Sequence, residues 1–167
     1  DLYQVGVLAK IIQTVRIQNN AKILVEAIDK VELHNITNDN MFEAEYEIIQ
    51  DEEIINTEEL QKSTSGAIEL FMDYAKNHKK INPEIIEAIS AEINKTPQDF
   101  NYIANVLSCH LSSSLLVKQT LLEETNLQAK IKTIIDTITS GMVQIETEQS
   151  LQQRLKKQIE KTQRDYY

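Results

Sequence analysis

Along this chain of 167 residues the apolar positions change spacing once, from a period near two over the first fifty residues to steps of three and four thereafter. Val5, Val7, Leu8, Ile11, Ile12 and Val15 form a partly β-branched stretch that ends near Arg16 and predicts a first strand. The polar break Gln18-Asn19-Asn20 turns the chain, its asparagines being suited to positive φ. A second strand is expected over Lys22–Leu33, with Ile23, Val25 and Ala27 on one alternation and Leu24, Glu26 and Ile28 on the other. After Thr37-Asn38-Asp39-Asn40, the run Phe42-Glu43-Ala44-Glu45-Tyr46-Glu47-Ile48 alternates strictly between apolar and acidic, as a strand with one wet face does. Three strands with short turns make an antiparallel meander. A thin sheet with two open edges is marginal alone, so further strands are expected upstream of Asp1.

Helix signals take over from residue 51. Asn56 as N-cap with Glu59 at N3 is a capping box, and Ile55 and Leu60 stand at hydrophobic-staple spacing. Leu60, Ala67, Ile68, Phe71 and Ala75 then mark one face out to about Lys79. Asn82-Pro83 starts a second helix, flanked by an Ile81/Ile86 staple. Thr96-Pro97-Gln98-Asp99 repeats the device for a third, carrying Phe100, Ile103, Ala104 and Leu107. A shorter helix is expected over Leu115–Glu123.

From Thr125 no proline interrupts the pattern. Thr125 with Gln128 has capping-box spacing, and Leu127, Ile131, Ile134, Ile135, Ile138, Met142 and Ile145 make a broad core-facing stripe. Beyond Ile145 the stripe thins to Leu151, Leu155, Ile159 and Tyr166 among Gln, Lys, Arg and Glu. A helix from 125 to 165 is ~60 Å long at ~1.5 Å per residue, more than a domain of this size can bury. Its distal part is expected to project and to offer a narrow seam to a partner helix. Gly141 weakens the helix by about 1 kcal/mol and marks a candidate bend. The expected architecture is α+β: a small antiparallel meander over residues 1–50, a helical bundle over 51–124, and a long helix over 125–167, packed on the bundle at its start.

Composition supports that reading. Three glycines and two prolines allow few tight turns, which disfavours a small barrel or a glycine-rich nucleotide fold. The apolar runs are too short for a membrane-spanning helix. The net charge of −9 opposes non-specific binding to nucleic acid or anionic lipid. Charge is unevenly spread: Glu43–Glu59 holds eight acidic residues and no basic one, whereas Leu151–Tyr167 carries a net +3. Two ends that differ this much suit different surroundings. The sequence starts at Asp1 without a leader pattern, as expected of a piece of a longer protein.

Candidate chemistry is sparse. Gly6, Gly66 and Gly141 each stand alone, so no phosphate loop is present, and His34, His78 and His110 lack the spacing of a helical metal site. Cys109 cannot form an internal disulfide. Cys109 and His110 point ~100° apart on a helix, so the pair reads as a buried core cysteine beside a surface histidine rather than a nucleophile and its base. Ser112-Ser113-Ser114 reads as a capping loop. Glu43, Glu45 and Glu47, ~7 Å apart on one strand face, read as solvated surface ahead of a cation site. In the tail, Lys156–Glu160 and Lys161–Asp165 have i, i+4 spacing, but a polar helix beyond the core also needs another chain or domain beside it. Leu151, Arg154, Leu155, Ile159, Tyr166 and Tyr167 are the candidate assembly residues; no catalytic, cofactor or metal residue is expected.

Three stretches carry a resemblance. Asp1-Leu2-Tyr3-Gln4-Val5-Gly6-Val7-Leu8-Ala9-Lys10-Ile11 resembles the "(D/E)LYxVGTLAxI" strand of the substrate-binding N-terminal domain of Lon-type ATP-dependent proteases, and Lys22-Ile23-Leu24-Val25-Glu26-Ala27 is similar to its "VKVLVEG" strand. The close, Arg154-Leu155-Lys156-Lys157-Gln158-Ile159-Glu160-Lys161-Thr162-Gln163-Arg164-Asp165-Tyr166-Tyr167, resembles "RVKKQMEKSQREYYLNEQ". The matches follow the family's order across the chain. The family's Pro-Asp-Gly hairpin is Gln18-Asn19-Asn20 here, its strand-ending glycine is Ala27, and its Gln-Arg-Ala-Arg stretch is Asp29-Lys30-Val31-Glu32.

The resemblance implies a PUA-like β subdomain lacking its first strands, then a helical bundle and a long helix leading to an ATPase module and a Ser–Lys protease domain. It implies a cytoplasmic homo-hexamer that engages unfolded or damaged proteins, with ATP and Mg bound by the ATPase module and none by this segment. Two other readings keep the same residues: a free-standing binding protein on the same domain, and a structural coiled-coil assembly module that binds no substrate.

Overall fold

The computed structural model describes residues 2–78, 81–95 and 99–166, with residues 165 and 166 entering only by their place in the last helix. The chain divides into two compact units, Asp1–Glu53 with Leu122–Asn126, and Ile54–Leu121 with Leu127–Tyr167.

In the first unit β1 (Val5–Ile17), β2 (Asn20–Asn38) and β3 (Phe42–Ile48) form an antiparallel meander in that order, as the alternation predicts. β2 outruns its apolar stretch because pairing with β3 carries the ladder on: Thr37 lies opposite Glu43 and Asn38 opposite Phe42. The first turn differs from expectation. Positive φ falls on Gln18, at 54°, and not on the neighbouring asparagines, because the ladder closes at Ile17 opposite Asn20 and leaves Gln18 and Asn19 to reverse the chain. Asn35 takes φ 50° where the β2–β3 register shifts between His34 and Thr37.

Lys30 organises the remainder of this unit. Its ammonium donates to Asp51 Oδ1 at 2.7 Å and to the Glu124 carbonyl at 3.3 Å. The Glu52 N–H donates to the Thr125 carbonyl at 3.0 Å, and the Glu52 carboxylate accepts from Thr125 Oγ1 and Asn126 Nδ2. These bonds draw a segment some seventy residues distant in sequence onto the chain that follows β3. They also undo the expected Thr125/Gln128 capping box, since the Thr125 hydroxyl is committed to Glu52 and Gln128 Nε2 donates to Ser63 Oγ in the second unit.

The second unit is a bundle of α1 (Thr57–Asn77), α2 (Pro83–Ile93), α3 (Phe100–His110), most of α4 (Leu115–Glu123) and α5 (Leu127–Tyr166). Asn56 caps α1 reciprocally: its Oδ1 accepts from the Glu59 N–H and its Nδ2 donates to Glu59 Oε2. The companion staple does not form. Leu60 is buried but Ile55 is 96% exposed, in an irregular, exposed segment that precedes α1. Asn82 caps α2 through the Glu84 N–H, with Pro83 at N1, and Ile81 and Ile86 are partly buried against the core. Asp99 caps α3 through the Tyr102 N–H; Thr96-Pro97-Gln98, with Lys79 at the expected end of α1, lie outside the described residues.

The core joins the stripes expected from sequence. Leu60, Phe71, Leu107, Ile131, Ile134 and Ile138 are fully buried, with Ala67, Ile103 and Ala104 beside them. Thr64 joins the α1 face because its hydroxyl donates to the Leu60 carbonyl at 2.7 Å and is thereby satisfied. Cys109 departs from expectation and is exposed. α3 buries Ile103, Ala104 and Leu107, and a residue two beyond Leu107 stands ~200° round the helix, facing away. Gly141 lets α5 close on α1: a Cβ there meets Tyr74 Cε2 at 3.1 Å, and Tyr74 is buried, tilted against Phe71, and accepts the Ser112 N–H at its hydroxyl.

An exposed helical Gly→Ala change gains about 1 kcal/mol. Gly141→Ala is expected to gain nothing and to lower the thermal midpoint, because the held Tyr74 ring cannot retreat; a raised midpoint in a melting experiment would contradict this close approach. Lys30→Met keeps the aliphatic stem and removes the tie. Amide exchange at Glu52 is expected to quicken about five-fold, the equivalent of ~1 kcal/mol, measured by hydrogen exchange.

Candidate protein-interaction surface

Antiparallel sheets ordinarily bury one face and wet the other. The β1–β2 hairpin instead shows apolar side chains on both faces. Ile11 and Ile12 on β1 are 62% and 51% exposed. Ile23, Leu24 and Val25 on β2 are consecutive, so they point to alternate faces, and each is more than half exposed. Two register shifts help to arrange it, one between Leu8 and Ala9 that passes over Ile28, the other between Ile11 and Gln13 that passes over Ile12. A bulge leaves its extra residue unpaired and re-aims it; Ile12 and Ile28 are two isoleucines presented in this way, both exposed. Exposed apolar surface of this extent is a candidate interaction site.

The signal was present in the sequence as Ile11-Ile12 and Ile23-Leu24-Val25, runs that break alternation. Such runs ordinarily mean burial on both faces, and here they mean exposure on both. On β3, Phe42, Tyr46 and Ile48 are likewise exposed, and Glu43, Glu45 and Glu47 take the other face. Glu45 accepts from Asn35 Nδ2 at 2.6 Å and Glu47 lies 3.9 Å from His34 Nε2. Among the described residues no three His, Cys, Asp or Glu side chains converge as a metal site. Among the described residues β1 and β3 are the two edges of the sheet, the positions at which an added strand pairs.

The candidate assembly residues lie in the second unit. Leu151, Leu155 and Ile159, four residues apart, share one face of α5 and are all more than half exposed, Leu155 at 59%. Arg154 stands beside Leu151 with Glu146, Thr147 and Ser150 in a shallow surface depression. The structure thus brings Leu151, Arg154, Leu155 and Ile159 together; Tyr167 and the side chain of Tyr166 lie outside the described residues. From residue 146 through 164 every residue of α5 is exposed. The Lys156–Glu160 pair expected there is not among the ion pairs formed, which include Lys30–Asp51, His34–Glu47, Lys62–Glu58, Lys76–Asp73 and Lys95–Glu92. Lys161–Asp165 involves a side chain outside the described residues.

Little here transfers protons or electrons. His110 is half-buried at the end of α3 beside the exposed Cys109. Ser114 serves the capping role expected of the serine run, its Oγ accepting the Val117 N–H at 3.3 Å. The Lys95 pKa is raised, chiefly by its hydrogen bond to Glu92, at a fully exposed position where the two form a surface ion pair. No helix among the described residues is long and apolar enough to cross a membrane.

A family model described as the ATP-dependent protease La (LON) substrate-binding domain matches residues 1–140. A Lon protease of Rickettsia bellii (strain RML369-C) is 55% identical over 168 residues, covering all of this chain and 22% of that protein. One from Orientia tsutsugamushi (strain Ikeda) is 34% identical over 168 residues, again covering all of this chain and 21% of the relative. The chain therefore spans about a fifth of the length of the curated relatives it matches. Among solved structures, the N-terminal domain of the Mycobacterium avium complex Lon protease aligns with a TM-score of 0.62 at 21% identity, over 81% of this chain and 70% of that one, a likeness of fold.

Proposed function

The chain belongs to the family of LON substrate-binding domains, and from that membership we propose that it is the substrate-recognising, non-catalytic module of a Lon-type ATP-dependent serine protease that acts on unfolded or damaged proteins in the cytoplasm. The observation that carries the reading is the apolar hairpin open on both faces. Unfolded chains display what folded proteins hide, apolar side chains and unpaired backbone. An exposed apolar sheet with free edges meets both, each Å² of apolar contact contributing ~25 cal/mol.

Residues 1–50 then do most of the recognising, 51–124 supply a rigid mount, and 125–167 link the module to its surroundings. The exposed face with Leu151, Arg154, Leu155 and Ile159, continuing toward Tyr166 and Tyr167, pairs with a neighbouring subunit and supports a homo-hexamer, while the helix passes position or force to the motor. ATP and Mg belong elsewhere in such a protease. In this chain Gly6 sits in a strand and Gly66 and Gly141 inside helices.

Crosslinking to a reduced, alkylated model protein, with its native form as control, tests recognition. The denatured form is expected to be captured preferentially, and the double substitution Ile11→Lys, Ile12→Lys to reduce that capture several-fold without moving the thermal midpoint. Equal capture of both forms overturns the reading in favour of a structural coiled-coil assembly module.

For assembly, Leu155→Glu in the longer protein is expected to shift the oligomer toward smaller species in sedimentation, with the bundle's melting unchanged because Leu155 is not part of the core. An unaltered distribution removes the seam from the interface.

A further inference from the structure

A groove of about 440 Å³ opens in the helical unit between the Ser112–Ser114 loop with α4 on one side and α5 on the other. That volume is within the ~300–1,000 Å³ of small-molecule sites. Its lining is rich in hydroxyls, and their hydrogen bonds fix what they present. Thr120 Oγ1 donates to the Leu116 carbonyl at 3.0 Å, Thr133 Oγ1 to Ala129 at 3.1 Å, Thr137 Oγ1 to Thr133 at 2.7 Å and Ser140 Oγ to Asp136 at 2.9 Å. Each hydroxyl has a single proton, and in all four it is spent on the carbonyl four residues back. What remains toward the groove is lone pairs. Gln144 gives one of its two amide protons to Glu148 Oε1 at 3.3 Å, and its carbonyl oxygen is left to accept.

Two further features set the chemistry. Asp136 is the one charged side chain in the lining and forms no ion pair among the described residues, so the groove wall carries a negative charge. Ser113 is also a lining residue, and its Oγ is buried to under 1 Å² without a hydrogen-bond partner. The Val117 methyls and the bare backbone at Gly141 supply apolar wall.

A ligand that donates several hydrogen bonds and carries positive charge matches these four hydroxyls and Asp136, and an aliphatic stem matches the apolar wall. A primary ammonium donates three and a guanidinium five, and neither accepts. We propose that this groove binds a basic side chain, lysine or arginine, of an extended polypeptide, so that the module selects unfolded segments with a cation beside their apolar residues. This rests on the reading of the chain as a substrate-recognition module and adds a second, polar point of engagement to it.

The test is an amide chemical-shift titration of the 167-residue chain with N-acetyl-arginine amide, with N-acetyl-citrulline amide as a neutral isostere, and with an unfolded twelve-residue peptide containing one arginine. The arginine compound and the peptide are expected to shift Ser113, Ser114 and the 133–144 stretch of α5, and citrulline to have little effect. Asp136→Asn should weaken binding about five-fold, the upper range for one exposed charge pair. Gln144→Lys, which plants a cation in the groove, should abolish it, with melting curves confirming that both variants fold. Equal binding of citrulline, shifts confined to other residues, or unchanged affinity in both variants overturns the proposal. A response to the small cation but not to the peptide also overturns it, since the site then serves free organic cations. If denatured protein is still captured by Asp136→Asn at full strength, the groove fails and the apolar reading stands. If the groove binds arginine but denatured protein is never captured, the groove stands and the recognition reading fails.

Discussion

The helical unit depends on the seating of the first third of α5. Ile131, Ile134 and Ile138, one turn apart, enter a core that α1 supplies through Leu60, Ala67 and Phe71 and α3 through Ile103, Ala104 and Leu107. Burying side chains of this size contributes roughly 1.5–3 kcal/mol each. Gly141 is the far end of that contact, where the helix backbone meets the Tyr74 ring. Beyond Ile145 no residue of the helix through 164 has cover, so the exposed portion is held helical by propagation from its anchored start.

The sheet unit rests on a different economy. Its apolar residues are numerous, but of the large ones Val31 alone is buried among the described residues, and a polar cluster about Lys30, Asp51, Glu52 and the Glu124–Asn126 segment holds its far side. A unit held by its ladder and a polar clasp keeps its apolar surface free for other contacts. This separates two tasks: the bundle spends its apolar residues on its own core, and the hairpin presents them.

The two candidate engagement sites differ as their chemistry requires. Apolar contact on the hairpin is non-directional and tolerates varied sequence. The groove beside α4 and α5 is directional, because helical serines and threonines have turned their protons inward and present acceptors around Asp136. On the proposed reading, a tolerant surface and a discriminating one in one polypeptide would bias selection without a rigid consensus.

Periodicity and capping chemistry are local, and they were legible in the residues themselves. The strict alternation of Phe42–Ile48, the Asn56/Glu59 and Asn82/Pro83 starts, the limits of α4 and the stripe from Leu127 to Ile138 are each written within a few turns of chain. So was the thinning of apolar residues after Ile145. Tertiary contact decided the rest. Thr125 stood at capping spacing to Gln128, but Glu52 claimed its hydroxyl. Ile55 stood at staple spacing to Leu60 and remained in solvent. Cys109 is of a type usually buried, yet the face of α3 had already been assigned by Ile103 and Leu107. Ile11-Ile12 reads locally as a strand buried on both sides, and only the arrangement of the sheet shows it open. Hydrogen-bond spacing along a helix or strand is fixed by backbone geometry, whereas which partner reaches a side chain first depends on residues seventy positions away, and no local pattern encodes that.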